Sequence, residues 1–362
     1  MSKSKGGSRR MFAGGNTPRG FFSYFDNILP QNRAKRIFIL KGGPGTGKST
    51  FMKDIGEALC SEGYDIEYFH CSSDPSSLDG IVIPEKGIGI IDGTAPHIVD
   101  PKNPGAVDEI VNLGMFWDGD RLARNRERIL KTNAEISSLF QRAYRYLQAA
   151  YSLYRDNEVI FSRAMDHGKA NVAISEITDK IFNGTGVSEK QGEQRHLFAS
   201  AVTPDGLVNY LSTLVTTKEI IVLEGKPGTG TERLLERVRA TAAERGFYTE
   251  SFYCALNPEK LEHLIIPELD VSITTSNEAH HADVKATLKI DFNRFLDASV
   301  VQKYGEEIKF NQDGFEMLLN RAIATIKQAR EKHDDLEKFY IPSMRFEEIR
   351  KCRDEILERI LN

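Results

Sequence analysis

The sequence predicts an α/β protein made of two tandem copies of one unit, each a parallel sheet covered by helices and extended by a helical arm. Three observations carry this: a glycine-rich loop between an apolar run and a helical pattern, an internal repeat spanning nearly the whole chain, and two long stretches of helical periodicity.

The loop is the most specific of the three. Ile37, Phe38, Ile39 and Leu40 form an uninterrupted apolar run, as a strand buried on both faces requires. Gly42, Gly43, Pro44, Gly45, Thr46, Gly47, Lys48, Ser49 and Thr50 follow and fit the pattern G-x-x-x-x-G-K-[ST]. Phe51, Met52, Ile55 and Leu59 then recur at helical spacing. In a strand–loop–helix of this kind the glycines let the backbone curl so that successive N–H groups face one anion, and the helix adds its positive end. Lys48 is placed to reach the β- and γ-phosphates of a nucleoside triphosphate, and Ser49 to set its hydroxyl on Mg²⁺.

The repeat is read directly. Residues 37–85 align without a gap on residues 220–268, so that Gly42, Pro44, Gly45, Thr46 and Gly47 meet Gly225, Pro227, Gly228, Thr229 and Gly230. Upstream, Phe12, Thr17, Gly20 and Tyr24 answer Phe198, Thr203, Gly206 and Tyr210; downstream, Arg142, Ala150, Met165 and Ile181 answer Arg321, Ala329, Met344 and Ile360. Residues 11–183 and 195–362 are thus two copies of one unit, joined by a linker at residues 184–194. The second copy keeps the turn-forming residues but replaces Lys48 by Thr231, Ser49 by Glu232, Thr50 by Arg233 and Asp92 by Thr275. A carboxylate facing phosphates without the lysine is the wrong electrostatic arrangement for a triphosphate. The first copy reads as the active unit and the second as degenerate.

In the first copy, strands are expected at residues 37–40, 66–70 and 88–91, with a helix at 49–59. Helical arms follow at about residues 119–183 and 313–362, and residues 1–10 read as a flexible polar, basic tail. The run 197–202 is strand-like and fits either copy. Ile90 and Ile91 lead into Asp92, which resembles the acid-ending strand whose carboxylate orients Mg²⁺; the alternative is an Asp capping a turn before Gly93. Asp74, which becomes Asn257 in the silent copy, is a second catalytic candidate beside a plain Asp-Pro turn. Asp79, which becomes Glu262, ranks below it. His97 and its counterpart His280 read as structural or surface histidines.

Composition excludes some classes. With 28% charged residues and a net charge of −4 there is no basic excess pointing to nucleic acid. Cys60, Cys71, Cys254 and Cys352 form no C-x-x-C pair, and no 18-residue apolar run is present; a reducing cytoplasmic location without membrane association is expected.

Residues 42–50 and the strand ending at Asp92 resemble the P-loop NTPase superfamily, and the loop is similar to the Walker A of AAA-type ATPases, although Gly93 stands where those enzymes carry a glutamate. The tandem arrangement resembles a bacterial family of double P-loop ATPases. The resemblance implies two P-loop NTPase-like domains, ATP with Mg²⁺ as ligands, catalytic roles for Lys48 and Asp92, and metal binding by Ser49 and Asp92. It implies no particular substrate.

Three function classes follow. The first is an ATPase or nucleotide-driven switch acting on a protein or small-molecule partner. The second is a small-molecule or nucleotide kinase with Arg121, Arg124, Arg126 and Arg128 as a lid. The third is a nucleic-acid-dependent ATPase using Lys131, Arg142, Arg145 and the tyrosines Tyr144, Tyr146, Tyr151 and Tyr154. With no base assignable, Arg19, Arg121 and Arg124 are the candidates for a charge-stabilising arginine.

Overall fold

A computed structural model describes residues 4–277, 281 and 283–362. The first half runs through β1 (Ser8–Met11), β2 (Gly14–Thr17), β3 (Gly20–Ser23), β4 (Arg36–Lys41), α1 (Lys48–Ser61), β5 (Ile66–His70), β6 (Leu78–Ile83), β7 (Ile88–Asp92) and β8 (Asp108–Asn112). Its arm is α2 (Gly119–Arg124), α3 (Arg126–Ala164) and α4 (His167–Ile181). The second half repeats the order with β9 (Gln194–Leu197), β10 (Ser200–Thr203), β11 (Gly206–Asn209), α5 (Leu211–Leu214), β12 (Glu219–Glu224), α6 (Thr231–Glu244), β13 (Thr249–Tyr253), β14 (Leu261–Ile266), β15 (Val271–Ser276) and β16 (Leu288–Asp291). Its arm is α7 (Ala298–Lys303), α8 (Gly305–Tyr340) and α9 (Phe346–Leu361).

Among the described residues the two sheets have six strands each, in the orders β1-β5-β6-β7-β4-β8 and β9-β13-β14-β15-β12-β16. The wholly parallel sheet expected from the sequence is corrected here, because both sheets are mixed. β6 runs antiparallel to β5 and β7, and β14 antiparallel to β13 and β15. The physical reason is the short link at residues 71–77, which suffices for a hairpin but not for the crossover that parallel neighbours need. Other pairs, such as β4 with β7 and with β8, are parallel. The tail expectation is also corrected: Ser8–Met11 pairs with β5, and its counterpart Gln194–Leu197 pairs with β13. The strand-like run 197–202 belongs to the second half, split between β9 and the β10–β11 hairpin.

β4 is buried along Ile37, Phe38, Ile39 and Leu40, and α1 lays Phe51, Met52, Ile55 and Leu59 against the sheet. The arms α3 and α8 lie side by side over most of their length. Glu135 meets Lys332 at 3.3 Å near one end, and Asn157 accepts from Asn311 at 3.0 Å near the other, so they run antiparallel. Ala143, Leu147, Ala150 and Tyr154 interlock with Phe315, Leu319, Ala322 and Ile326 at the spacing of one helix face.

Each arm ends on the other half. Ile349, Ile356 and Ile360 of α9 complete the core around α1 and β4, while Ala170, Ala173 and Ile174 of α4 join the core around α6 and β12. Backbone bonds seal both crossings at equivalent positions: Asp118 N–H to Ser343 O and Asp297 N–H to Ala164 O, each 2.8 Å. No helix among the described residues is long and apolar enough to cross a membrane.

Candidate functional site at the first glycine loop

The loop between β4 and α1 holds Gly45 and Gly47 at φ of +63° and +84°, a region that side-chain-bearing residues rarely adopt. Gly47 is the N-cap of α1 and no side chain caps the helix, so its first N–H groups face the loop. Thr46 braces the turn by donating to Gly43 O at 2.8 Å. Lys48 curls back over the loop, donating to Gly42 O at 2.9 Å and Gly43 O at 2.8 Å, with its ammonium 3.7 Å from Asp92 Oδ2. Asp92 Oδ1 accepts from the Thr94 N–H at 2.9 Å and from its hydroxyl, capping a turn as in the alternative reading, while Oδ2 faces Lys48. Ser49, at the first turn of α1, accepts from Leu78 N–H at 3.1 Å and so ties the loop to β6.

The remaining acids separate into two environments. Asp74 sits in the turn between β5 and β6, where it accepts from the hydroxyls of Ser76 and Ser77 and lies 3.0 Å from Arg330 of α8. Burial alone would raise its carboxyl, but the bonds from Ser77 and Ser76 and the Arg330 charge outweigh it and hold Asp74 below the ordinary range. Asp79 is buried on β6, its Oδ1 3.7 Å from His97 Nε2. Burial pushes the Asp79 carboxyl up, opposed by His97 and reinforced by the nearby Asp92. His97 is buried and stacked on Phe25, whereas His280 lies outside the described residues. At Gly93 a Cβ would lie 2.5 Å from Ile39 Cγ2 and 2.9 Å from Val99 O, so the glutamate of AAA-type enzymes has no room there.

Residues from the second half complete the surroundings. Glu337 Oε1 accepts from the Gly45 N–H at 3.1 Å, Tyr340 lies on Gly43, Ile341 on Gly45 and Phe346 beside Gly47. Sequence reasoning missed all four, together with Arg330. One signal was available: Glu337 of the second arm aligns with Glu158 of the first.

The second loop has the same curl, with Gly228 and Gly230 at φ of +86° and +88°. There Lys260 pairs with Glu158 at 2.5 Å, and the Glu158 backbone lies so close that a Cβ at Gly228 would collide with it. Arg155, Arg163, Glu232 and Glu236 line the adjoining cavity of about 490 Å³.

Arg19 is paired with Glu259 on the surface, and Arg121 donates to Pro342 O at 2.8 Å, next to the segment that covers Gly45. Tyr144, Tyr151 and Tyr154 are turned into the packing between α3 and α8. Cys254 is buried. No protein-family model, curated protein or solved structure matches this chain.

Proposed function

We propose that the chain binds one Mg²⁺-ATP in its first half and acts as an ATPase or nucleotide-driven switch, the second half being a degenerate P-loop unit. The observation that supports this most is the conjunction of Lys48 and Asp92, 3.7 Å apart, at an uncapped helix N-terminus entered through two left-handed glycines. Lys48 would leave the carbonyls of Gly42 and Gly43 for the β- and γ-phosphates, and the loop N–H groups would line the phosphate chain.

Magnesium fits the donors present. Among the described residues there is no cluster of three or more His, Cys, Asp or Glu able to cage a metal, and Mg²⁺ on a nucleotide needs only one or two protein oxygens besides phosphates and water. Ser49 and Asp92 are the residues that would hold it, and when bound it would neutralise charge developing on the phosphate oxygens. Asp79, its carboxyl raised by burial beside His97 and Asp92, is the group best able to take up a proton near the site.

A kinase is the second reading, favoured by a groove of about 530 Å³ along α1, lined by Lys53, Arg10, His70, Tyr68 and Tyr210 and adjoining Ser76. Its cations suit an anionic acceptor. Turnover with ATP alone, followed by product analysis with a panel of nucleosides and small phosphate acceptors, separates the two: free phosphate without any acceptor supports the ATPase, and a phosphorylated acceptor supports the kinase. Calorimetry showing no Mg²⁺-ATP binding would refute both.

A further inference from the structure

We propose that the end of the second arm is an intramolecular competitor for the nucleotide: Glu337 holds the phosphate nest of the first half closed, and nucleotide binding expels it. The proposal rests on the nucleotide reading above and adds the regulation of that site.

The nest is a set of backbone N–H groups converging on one anion position, and a carboxylate answers the same chemistry as a phosphate. Glu337 takes the Gly45 N–H at 3.1 Å. The contacts around it follow the loop closely. A Cβ placed on Gly43 would lie 2.7 Å from Tyr340 Cε1, and one on Gly45 would lie 2.9 Å from Ile341 Cγ1 and 3.3 Å from Glu337 Cβ. Phe346 approaches the Cβ position of Gly47 to 3.7 Å. A phosphate chain needs the N–H that Glu337 occupies, and two anions cannot share it, so occupation by one requires departure of the other.

The second half supplies the internal comparison. Glu158 occupies the equivalent place on the degenerate loop, and there the closure is locked: Lys260 clamps the carboxylate at 2.5 Å and the Glu158 backbone itself fills the space against Gly228. In the first half the residue aligned with Lys260 is Ser77, and the Glu337 carboxylate has a backbone N–H and, at 3.8 Å, His333. One arm is fixed by an ion pair that the other lacks. The same swapped geometry therefore gives a permanent closure over the loop without the lysine and a releasable one over the loop that keeps it. Since α8 leads directly into α9, which caps the core around α1, release of Glu337 is coupled to the junction between the halves.

The chain carries its own reporter. Trp117, the only tryptophan, lies with its ring 6.4 Å from that of Tyr340 and is bridged through its backbone to Met344, so movement of the arm end changes its surroundings. The experiment titrates Mg²⁺-ATP into the full chain by calorimetry and by tryptophan fluorescence, for wild type, Glu337→Gln, Glu337→Ala and Lys48→Ala, with thermal melts confirming that each is folded. Glu337 is a partly exposed helix residue, and neither replacement removes core packing.

The expected result is about tenfold tighter binding for both Glu337 variants, within the range usual for coupling between alternative states. A Trp117 signal should saturate with binding in wild type and be absent in Lys48→Ala. Wild type binding nucleotide with the same or higher affinity than both Glu337 variants overturns the competitor while leaving the nucleotide site standing. Binding by neither wild type nor the Glu337 variants overturns the nucleotide reading and this proposal with it.

Discussion

Phe12 and Phe198, aligned residues of the two copies, exchange both backbone hydrogen bonds, at 2.9 Å in one direction and 3.0 Å in the other. Two equivalent residues bonded reciprocally lie on a two-fold axis, so the repeat is folded as a pseudo-dimer within one chain. The ion cluster beside them obeys the same relation. Arg9 and Arg195 are aligned residues, as are Glu67 and Glu250, and each arginine reaches both carboxylates.

That cluster makes the first prediction. Glu67, Glu250 and Arg195 are buried, and removing one member leaves an uncompensated charge, a loss of about 3–5 kcal/mol. Glu250→Ala should lower the denaturation midpoint accordingly. Burial alone would raise the Glu250 carboxyl, but Arg9 and Arg195 overcome this and hold it below its ordinary value of 4.5. A group depressed in the folded state stabilises above its unfolded value, and that contribution is lost as pH falls through the folded one. Wild type should therefore lose stability from about pH 4.5 downward, and a folded Glu250→Gln protein should show a shallower acid limb in chemical denaturation.

His70 gives a second pH dependence at a different window. Burial pushes its imidazole down from 6.5 to about 4, while its Nδ1 lies 2.7 Å from Pro75 O and its Nε2 3.1 Å from Arg10. Between those two values the unfolded chain binds a proton that the folded chain does not, so stability falls as pH is lowered through the window. Denaturation midpoints of His70→Gln compared with wild type at about pH 7 and about pH 5 should show the variant losing less.

The nucleotide reading predicts one site per chain. Calorimetry should give a stoichiometry near one, and Lys48→Ala should abolish binding. Installing lysine and serine at Thr231 and Glu232 should not create a second site, because Glu158 and Lys260 occupy the second nest. Two equivalent sites in wild type would overturn the assignment.

Turnover should depend on Asp92 and be slow. Asp92→Asn is expected to lower Mg²⁺-dependent hydrolysis by several orders of magnitude with the protein still folded. Because Gly93 leaves no room for a glutamate, unassisted wild type should turn over on the order of once per minute or below. Phosphate release measured without any partner checks both.

The glycine loop, its flanking strand and helix, and the duplication were legible because each is written in local or aligned residues. The place of Asp92 at the end of its strand was legible for the same reason, and so was the turn that it caps. β6 was not: Leu78, Asp79, Gly80, Ile81, Val82 and Ile83 carry no alternation, since the strand is buried on both faces. The exchange of arms was not legible either. An apolar face on a helix says that it will be covered, not by which of two similar sheets, and α4 and α9 each have two candidate partners of one ancestry. Glu337 and Arg330 were hidden in a charged helix where such residues are ordinary; only the alignment of Glu158 with Glu337 marked the place.

The interlocked ends also bear on how the chain can be made. α1 leaves the ribosome long before Ile356 and Ile360, yet those residues fill the core beneath it. Until α9 is made, the nascent first half thus presents an apolar surface that its own sequence cannot cover. Closure of the first half must wait for α9, so a chain interrupted before α9 leaves that half uncovered while the second half, already capped by α4, keeps its cover.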